Sequence, residues 1–319
     1  MKFTSWLSRN RGLKSSRISS RRLLKVIWLS VVIFFCCLLA SAQSSPQLLT
    51  VLKPPYGEFV PLQPVAAAIS PESRIYILDA QLAAVAQLDT AGNLINQIGG
   101  PGMGGTKLND PADLCINSGL NLFIADRGND RILRLDRKLN FLAEFRSLEG
   151  TPASLIFEAP RSILQSARGD LFIADGDNDR ILKIDPNNIP LFSFGAYGEE
   201  KGSLLQPRRI ESDPLGGVWV LDRRAHVVHF DEFGGFLEEL IPHLAGRASG
   251  LAVSAGFVWI CADSCLWIYD RLERQSACVA RDELIPQVSS DLVDLAYHRN
   301  HLWLLDSQGC LYRFRVSSE

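Results

Sequence analysis

Histidine is scarce in this chain, whose 319 residues include five: His226, His229, His243, His298 and His301. No Gly-x-Ser-x-Gly elbow and no convincing Ser/His/Asp set is present, so nothing marks a serine hydrolase. The longest apolar run, Val26 to Ala40, has 15 residues, short of the roughly 20 that a membrane-spanning helix needs. Positive charge is also sparse beyond the first 42 residues. Eight of the 33 Lys and Arg residues fall within the first 25 positions, leaving 25 against 35 acids and a net charge near −10. Such a surface lacks the phosphate-neutralising charge that nucleic-acid binding requires, so no nucleic-acid partner is expected. Five cysteines follow the leader, Cys115, Cys261, Cys265, Cys278 and Cys310, and an odd number forbids complete internal pairing.

What the chain has is repetition. Leu122-Phe123-Ile124-Ala125-Asp126-Arg127-Gly128-Asn129-Asp130-Arg131-Ile132-Leu133-Arg134-Leu135-Asp136 returns nearly unchanged from Leu171 to Asp185. Each copy has two short apolar runs around a polar Asp-x-x-Asn-Asp turn, and the second run alternates apolar residues with Arg or Lys, the pattern of a hairpin strand with one wet face. Weaker copies end in Asp79, Asp222, Asp263 and Asp306. Their aromatics, Tyr76, Phe123, Phe172, Trp219, Trp259 and Trp303, recur every 40 to 49 residues. That period holds one four-stranded sheet but no independent core, so six such sheets must bury their faces on one another in a ring. The fifth copy has its Asp one residue late, which predicts a bulge or a shifted turn.

In these residues the chain resembles the NHL-repeat family of six-bladed propellers. The Pro that opens an inner strand, the apolar run ending in Ala-Asp and the following Asn-x-Arg-Ile match closely at Pro111 to Asp136 and Pro160 to Asp185. The resemblance implies an all-β fold, a six-bladed β-propeller of four-stranded antiparallel blades, over residues 61–319. It constrains function little, because propellers host lyases, lactonases, receptors and binding modules alike.

Residues 1–42 read as a secretory signal: a basic, acid-free start, the apolar run, then Ala40-Ser41-Ala42 as a small-x-small cleavage site. An uncleaved signal anchor with its basic end in the cytoplasm is the alternative. The expected location is therefore extracytoplasmic, periplasmic or secreted, with membrane contact only through this segment if it is retained. Residues 43–60 form a connector. The sixth copy stops at Val316 with barely room for an outer strand, so Leu48 to Leu52 is expected to supply one and close the ring, the alternative being a flexible tether.

The Gly-rich connections Gly99 to Gly105 and Gly195 to Gly202 lack the following helix that a phosphate loop requires, and read as blade-to-blade turns. The recurring Asp126, Asn129 and Arg131, with Asp175, Asn178 and Arg180, read as scaffold rather than metal ligands, because a unique site does not repeat in every blade. A site belongs where the copies differ, at the inner-strand starts around the channel mouth: Asp110, Asp113, Glu158, Arg161, Arg208, Arg209, Glu211, Arg247, Asp291 and Asp294. Of these, Arg161, Arg208 and Arg209 suit an anionic ligand, and Arg247 stands with them as a ligand-binding candidate. Asp113, Asp291 and Asp294 suit a hard cation such as Ca2+, and mutual neutralisation of the two signs stands beside both readings. No histidine falls at an inner-strand start, which argues against the zinc chemistry of amidating lyases that share the repeat. The Glu, Asn and Asp motifs of gluconolactonase-type enzymes have no residue-by-residue match.

Cys265 and Cys278 fall on adjacent outer strands of the fifth blade, where an exported protein could oxidise them to a disulfide. Cys115 reads as a small core residue. The sequence therefore predicts an exported propeller acting as a binding or interaction module, with a protein partner or small ligand on the channel-mouth face, no catalytic motif and no required cofactor. The alternative is a calcium-dependent hydrolase or lactonase using the channel carboxylates.

Overall fold

The computed structural model describes residues 46–316 apart from 117–120, 199 and 245. The segment read as a signal or anchor lies outside the described residues. The first described strand is β1 (Gln47–Leu52). Blade 1 follows as β2 (Pro64–Ile69), β3 (Ile75–Asp79), β4 (Ala84–Leu88) and β5 (Leu94–Gly99). Blade 2 is β6 (Pro111–Ile116), β7 (Leu122–Asp126), β8 (Arg131–Leu135) and β9 (Phe141–Phe145), and blade 3 is β10 (Ser162–Gln165), β11 (Leu171–Asp175), β12 (Arg180–Ile184) and β13 (Pro190–Phe194). Blade 4 is β14 (Arg209–Ser212), β15 (Val218–Leu221), β16 (Val227–Phe230) and β17 (Phe236–Leu240), and blade 5 is β18 (Ala248–Val253), β19 (Phe257–Ala262), β20 (Cys265–Asp270) and β21 (Gln275–Ala280). Blade 6 holds β22 (Leu292–His298), β23 (His301–Asp306) and β24 (Leu311–Arg315), and its fourth, outermost strand is β1, paired antiparallel with β24 from Gln47↔Arg315 to Leu52↔Leu311. The first blade strands β2, β6, β10, β14, β18 and β22 line the central channel and neighbour one another around the ring.

The second strands read as unbroken apolar runs because both of their faces are covered. In β7, Leu122 and Ile124 pack with Ala66, Tyr76 and Leu78 of blade 1, while Phe123 and Ala125 pack with Ile163, Leu171 and Ile173 of blade 3. Each fully buried Leu, Ile or Phe contributes about 1.5–3 kcal/mol, so every blade depends on both neighbours. The third strands depart from the wet-face expectation. Arg131 is buried, Lys183 is 5% exposed, and Arg134 and Lys183 lie over the rings of Phe123 and Phe172 at 5.8 and 5.1 Å. The alternating cations are packed rather than wet, their charges met by π faces or acids of their own blade, and Lys183 also reaches the Glu232 carbonyl of blade 4.

The recurring aspartate ties each hairpin to the loop that leads into the same blade. Asp79 Oδ2 accepts the backbone N–H groups of Leu62 and Gln63, both at 2.7 Å, and Asp126 Oδ1 accepts Asn109 N at 2.8 Å. Asp126 Oδ2 also accepts Asn129 Nδ2 and Arg131 Nε at 2.8 and 2.7 Å. Arg131 then reaches the carbonyl of Lys107, and Arg180 those of Ser154 and Ile156. Aspartate, asparagine and arginine thus act together as scaffold, clamping the long blade-to-blade loops. Gly99 turns one of these loops at φ +117, where a Cβ would stand 2.3 Å from the Ala83 carbonyl oxygen. In blade 5 the late Asp263 lies just past β19, with Ala262 pairing directly with Cys265 across a two-residue turn; the turn is shifted and the ladder has no bulge.

Replacing Asp126 by Ala leaves the donors Asn109 N, Asn129 Nδ2 and Arg131 Nε without their acceptor and Arg131 with Glu144 as its remaining acid, and is expected to cost about 3–5 kcal/mol of stability. Asp263→Ala, at a half-buried site that accepts one backbone N–H from Arg247, is expected to cost about 1 kcal/mol. Urea denaturation of both variants checks the contrast, and equal losses would contradict the clamping role of the buried aspartates.

Candidate functional site

The channel is set by a register shift. In blades 1, 2, 5 and 6 the inner strand skips one residue near its start, between Pro64 and Ala66, Pro111 and Asp113, Ala248 and Gly250, and Leu292 and Asp294. With the in-register blades 3 and 4, this brings Ala66, Asp113, Ser162, Arg209, Gly250 and Asp294 to one level of the channel, opposite Leu78, Ala125, Ala174, Leu221, Cys261 and Leu305. The skipped residues Val65 and Ala112 leave the regular ladder, which frees their carbonyls for another donor.

Arg209 is that donor. Reaching across from blade 4, its Nη2 donates to Val65 O at 2.6 Å and its Nη1 to Ala112 O at 3.2 Å. The same guanidinium lies 3.1 Å from Asp113 Oδ1 and 3.4 Å from Asp294 Oδ1. Ser162 Oγ donates to Asp113 Oδ2, and Asp294 Oδ2 accepts Ala67 N at 2.9 Å. All three charged residues are under a tenth exposed. Two carbonyls accept hydrogen bonds from this guanidinium and two carboxylates lie within ion-pair distance, which together offset its desolvation, while its Nε has no hydrogen-bond partner. This strut spans the axis and separates an upper cavity of about 510 Å³ from a lower one of about 530 Å³.

The three acids of this region differ in ease of ionisation. Burial pushes the Asp294 carboxyl up to about 6, with Arg209 opposing and Asp113 adding to the rise. Asp113 is raised as well, again by burial and against Arg209. Glu211 lies two residues further along β14, lining the lower cavity; burial and the charges of Asp113 and Asp294 push it up to about 8. Burial also holds the Cys115 and Cys261 thiols up at about 12, so neither is a ready thiolate nucleophile.

The seven residues singled out at the inner-strand starts divide into two groups. Asp113, Arg209 and Asp294 come together in the strut, mid-channel and neutralising one another. Arg161, Arg208, Arg247 and Asp291 line the upper cavity, joined by Arg127 and Asp110. Arg127 pairs with Asp110, Arg161 with Asp177 at 2.7 Å, and Asp291 is 3.7 Å from Arg281. Among the described residues no acid lies within ion-pair distance of Arg208 or Arg247. Burial and the neighbouring guanidinium groups of Arg247, Arg161 and Arg223 hold Arg208 below its ordinary pKa, the condition of a cation crowded by other cations.

Sequence reasoning missed the backbone partners Val65 and Ala112, the Ser162 bridge and the lower cavity. The layer was nevertheless countable, because its members stand thirteen residues before Asp79, Asp126, Asp175, Asp222 and Asp263, and twelve before Asp306. No histidine lines either cavity. His229 stacks on Trp219 at 4.3 Å with Nε2 3.0 Å from Asp213, and His226 Nδ1 is 2.6 Å from Glu239. Among the described residues no three His, Cys, Asp or Glu side chains converge as a metal-ligand set. Cys265 and Cys278 lie on β20 and β21 as free thiols at diagonal positions, paired across the ladder with Ala280 and Trp267, and burial, with Cys278 adding to it, pushes the Cys265 thiol up.

Raised carboxyls make the native state bind protons that the unfolded chain releases, so stability falls as pH rises from the unfolded carboxylate range, about 4, through the folded values. Chemical denaturation at several pH values is expected to show this decline continuing to about pH 8, where Glu211 ionises. Glu211→Gln should flatten its upper part, between about pH 6 and 8; an unchanged profile would contradict the assignment.

No protein-family model matches the chain, and no curated protein is significantly similar to it. Solved structures are similar in fold. A streptogramin B lyase is 16% identical over 86% of this chain and 87% of its own, with a TM-score of 0.56. A catalytically inactive virginiamycin B lyase from Staphylococcus aureus with quinupristin is 13% identical over 84% and 99%, with a TM-score of 0.60. A gluconolactonase from Xanthomonas campestris is 11% identical over 85% and 95%, with a TM-score of 0.63. At these identities the likeness is one of architecture, and this chain is a six-bladed β-propeller of four-stranded antiparallel blades.

Proposed function

We propose that the protein is an exported, NHL-type propeller whose upper cavity binds an anionic ligand, free or displayed by a partner protein. The observation that carries this reading is the cluster of Arg161, Arg208 and Arg247 around one cavity, with Arg208 and Arg247 lacking acidic partners among the described residues. Guanidinium groups held together without counter-ions repel, and a carboxylate or phosphate entering between them relieves that repulsion while accepting forked hydrogen bonds. A cavity of about 510 Å³ is in the range of small-ligand sites. The Ala-Asp and Asn-x-Arg-Ile signatures of blades 2 and 3 support the NHL assignment, and the leader's basic, apolar and small-x-small regions support export.

The strut weighs against the calcium-dependent reading. Asp113 and Asp294 converge on the axis, as a cation site requires, but Arg209 lies between them, so a divalent ion would have to displace a guanidinium held by two carbonyls and paired with both carboxylates. Calcium is expected to leave the melting temperature of the wild-type protein unchanged, and a saturable calcium stabilisation lost in Asp113→Asn would favour the hydrolase reading instead.

Citrate is a suitable probe of the upper cavity. Isothermal titration is expected to show saturable, salt-sensitive binding, weakened about tenfold by Arg208→Ala or Arg247→Ala, the worth of a charge-assisted hydrogen bond. Arg161→Ala, whose guanidinium is shared with Asp177, should weaken it less. Binding indifferent to both Arg208 and Arg247 would remove the proposal.

A further inference from the structure

The lower cavity opens on the opposite face, where the inner strands end, and it is closed above by the strut. Leu114, Leu164 and Leu295 give it apolar walls. The cations at its rim are already engaged: Arg168 is 2.9 Å from Glu232, and Lys183 Nζ is 3.0 Å from Asp170 and donates to the Glu232 carbonyl at 3.1 Å. The rim acid Asp213 is likewise held by Arg271 at 2.7 Å. Glu211 differs from these groups. Among the described residues its carboxylate has neither hydrogen-bond donor nor ion-pair partner, although it lines the cavity near the strut.

The charge count points the same way. Asp113, Asp294 and Glu211 stand near a single buried cation, Arg209, so the axis is short of positive charge on this side. An anion is repelled there, and a neutral molecule leaves the imbalance as it was. A cation with an apolar body satisfies both the carboxylate and the walls.

We infer that the lower cavity is a second ligand site, independent of the arginine-lined one, that receives a small organic ammonium with Glu211 as its anchor. The ammonium nitrogen donates to the Glu211 carboxylate and the apolar body fills the space beneath the strut. Because the free carboxyl holds its proton to about pH 8, an incoming ammonium must drive that proton off, and binding and proton release are linked. The titratable and charged groups facing Glu211 are Asp113 and Cys115 from blade 2, Arg209 from its own strand and Asp294 from blade 6. Of these Cys115 stays neutral well above pH 8, and Asp294 ionises below Glu211, at about 6, so between these two carboxyls it is the proton of Glu211 that an amine displaces near pH 8.

Tryptamine and its neutral isostere tryptophol test the assignment by isothermal titration in buffers of different ionisation enthalpy. Tryptamine is expected to bind about tenfold or more tightly than tryptophol, with affinity rising towards about pH 8 as close to one proton is released per amine bound. Glu211→Gln, which preserves the shape of the protonated side chain, should erase the preference for the amine while the protein stays folded. Arg208→Ala should leave it intact, which separates this site from the upper one. Equal affinity for the two probes, binding of neither, or an amine preference that survives Glu211→Gln would each overturn the inference.

Discussion

A four-stranded blade with apolar residues on both faces cannot stand alone in water, and the whole molecule follows from that constraint. Each blade must be covered twice, which a single row of blades leaves undone at its two ends and a ring accomplishes everywhere. Radial closure in turn crowds six inner strands around one axis, where the level of the strut, between the two cavities, leaves little room for solvent. Whatever polar group projects to that axis must find its partner across the ring rather than within its own blade.

Arg209 answers this requirement. Its guanidinium ties blade 4 to carbonyls of blades 1 and 2 and to carboxylates of blades 2 and 6, so one side chain links four of the six blades. The β-bulges that release those carbonyls are local irregularities with a global use: they turn backbone groups, otherwise committed to a ladder, into acceptors for a residue far away in sequence. The cluster holds the axis and also gives the two cavities unlike characters, since the arginines collect above it and the excess of acid lies below.

Much of the fold was legible because repetition multiplies weak signals. Phe123 or Asp126 alone suggests a strand end; the same pair recurring with Phe172 and Asp175, and in outline four times more, leaves few architectures. The wet-face reading of the third strands failed for a physical reason. Arg131 and Arg134 among Ile132, Leu133 and Leu135 look identical whether the cation meets water or, as here, a buried carboxylate or an aromatic ring of its own blade. The site was legible as a set of residue types but not as a geometry. Asp113, Arg209 and Asp294 were grouped with Arg161 and Arg247 because all stand near inner-strand starts, whereas one step along a strand separates a rim residue such as Arg208 from an axial one such as Arg209. That distinction rests on strand register, and backbone acceptors such as Val65 and Ala112 carry no side-chain signature at all.

The outer strand of blade 6 comes from the start of the described chain, and its partner β24 from the end. The first described strand therefore finds its place only after a loop of more than 250 residues has been closed. Contacts of such separation form late, because their ordering cost precedes their reward. Until residues 311–315 are available the sixth blade has an open edge, and the ring lacks its final seam.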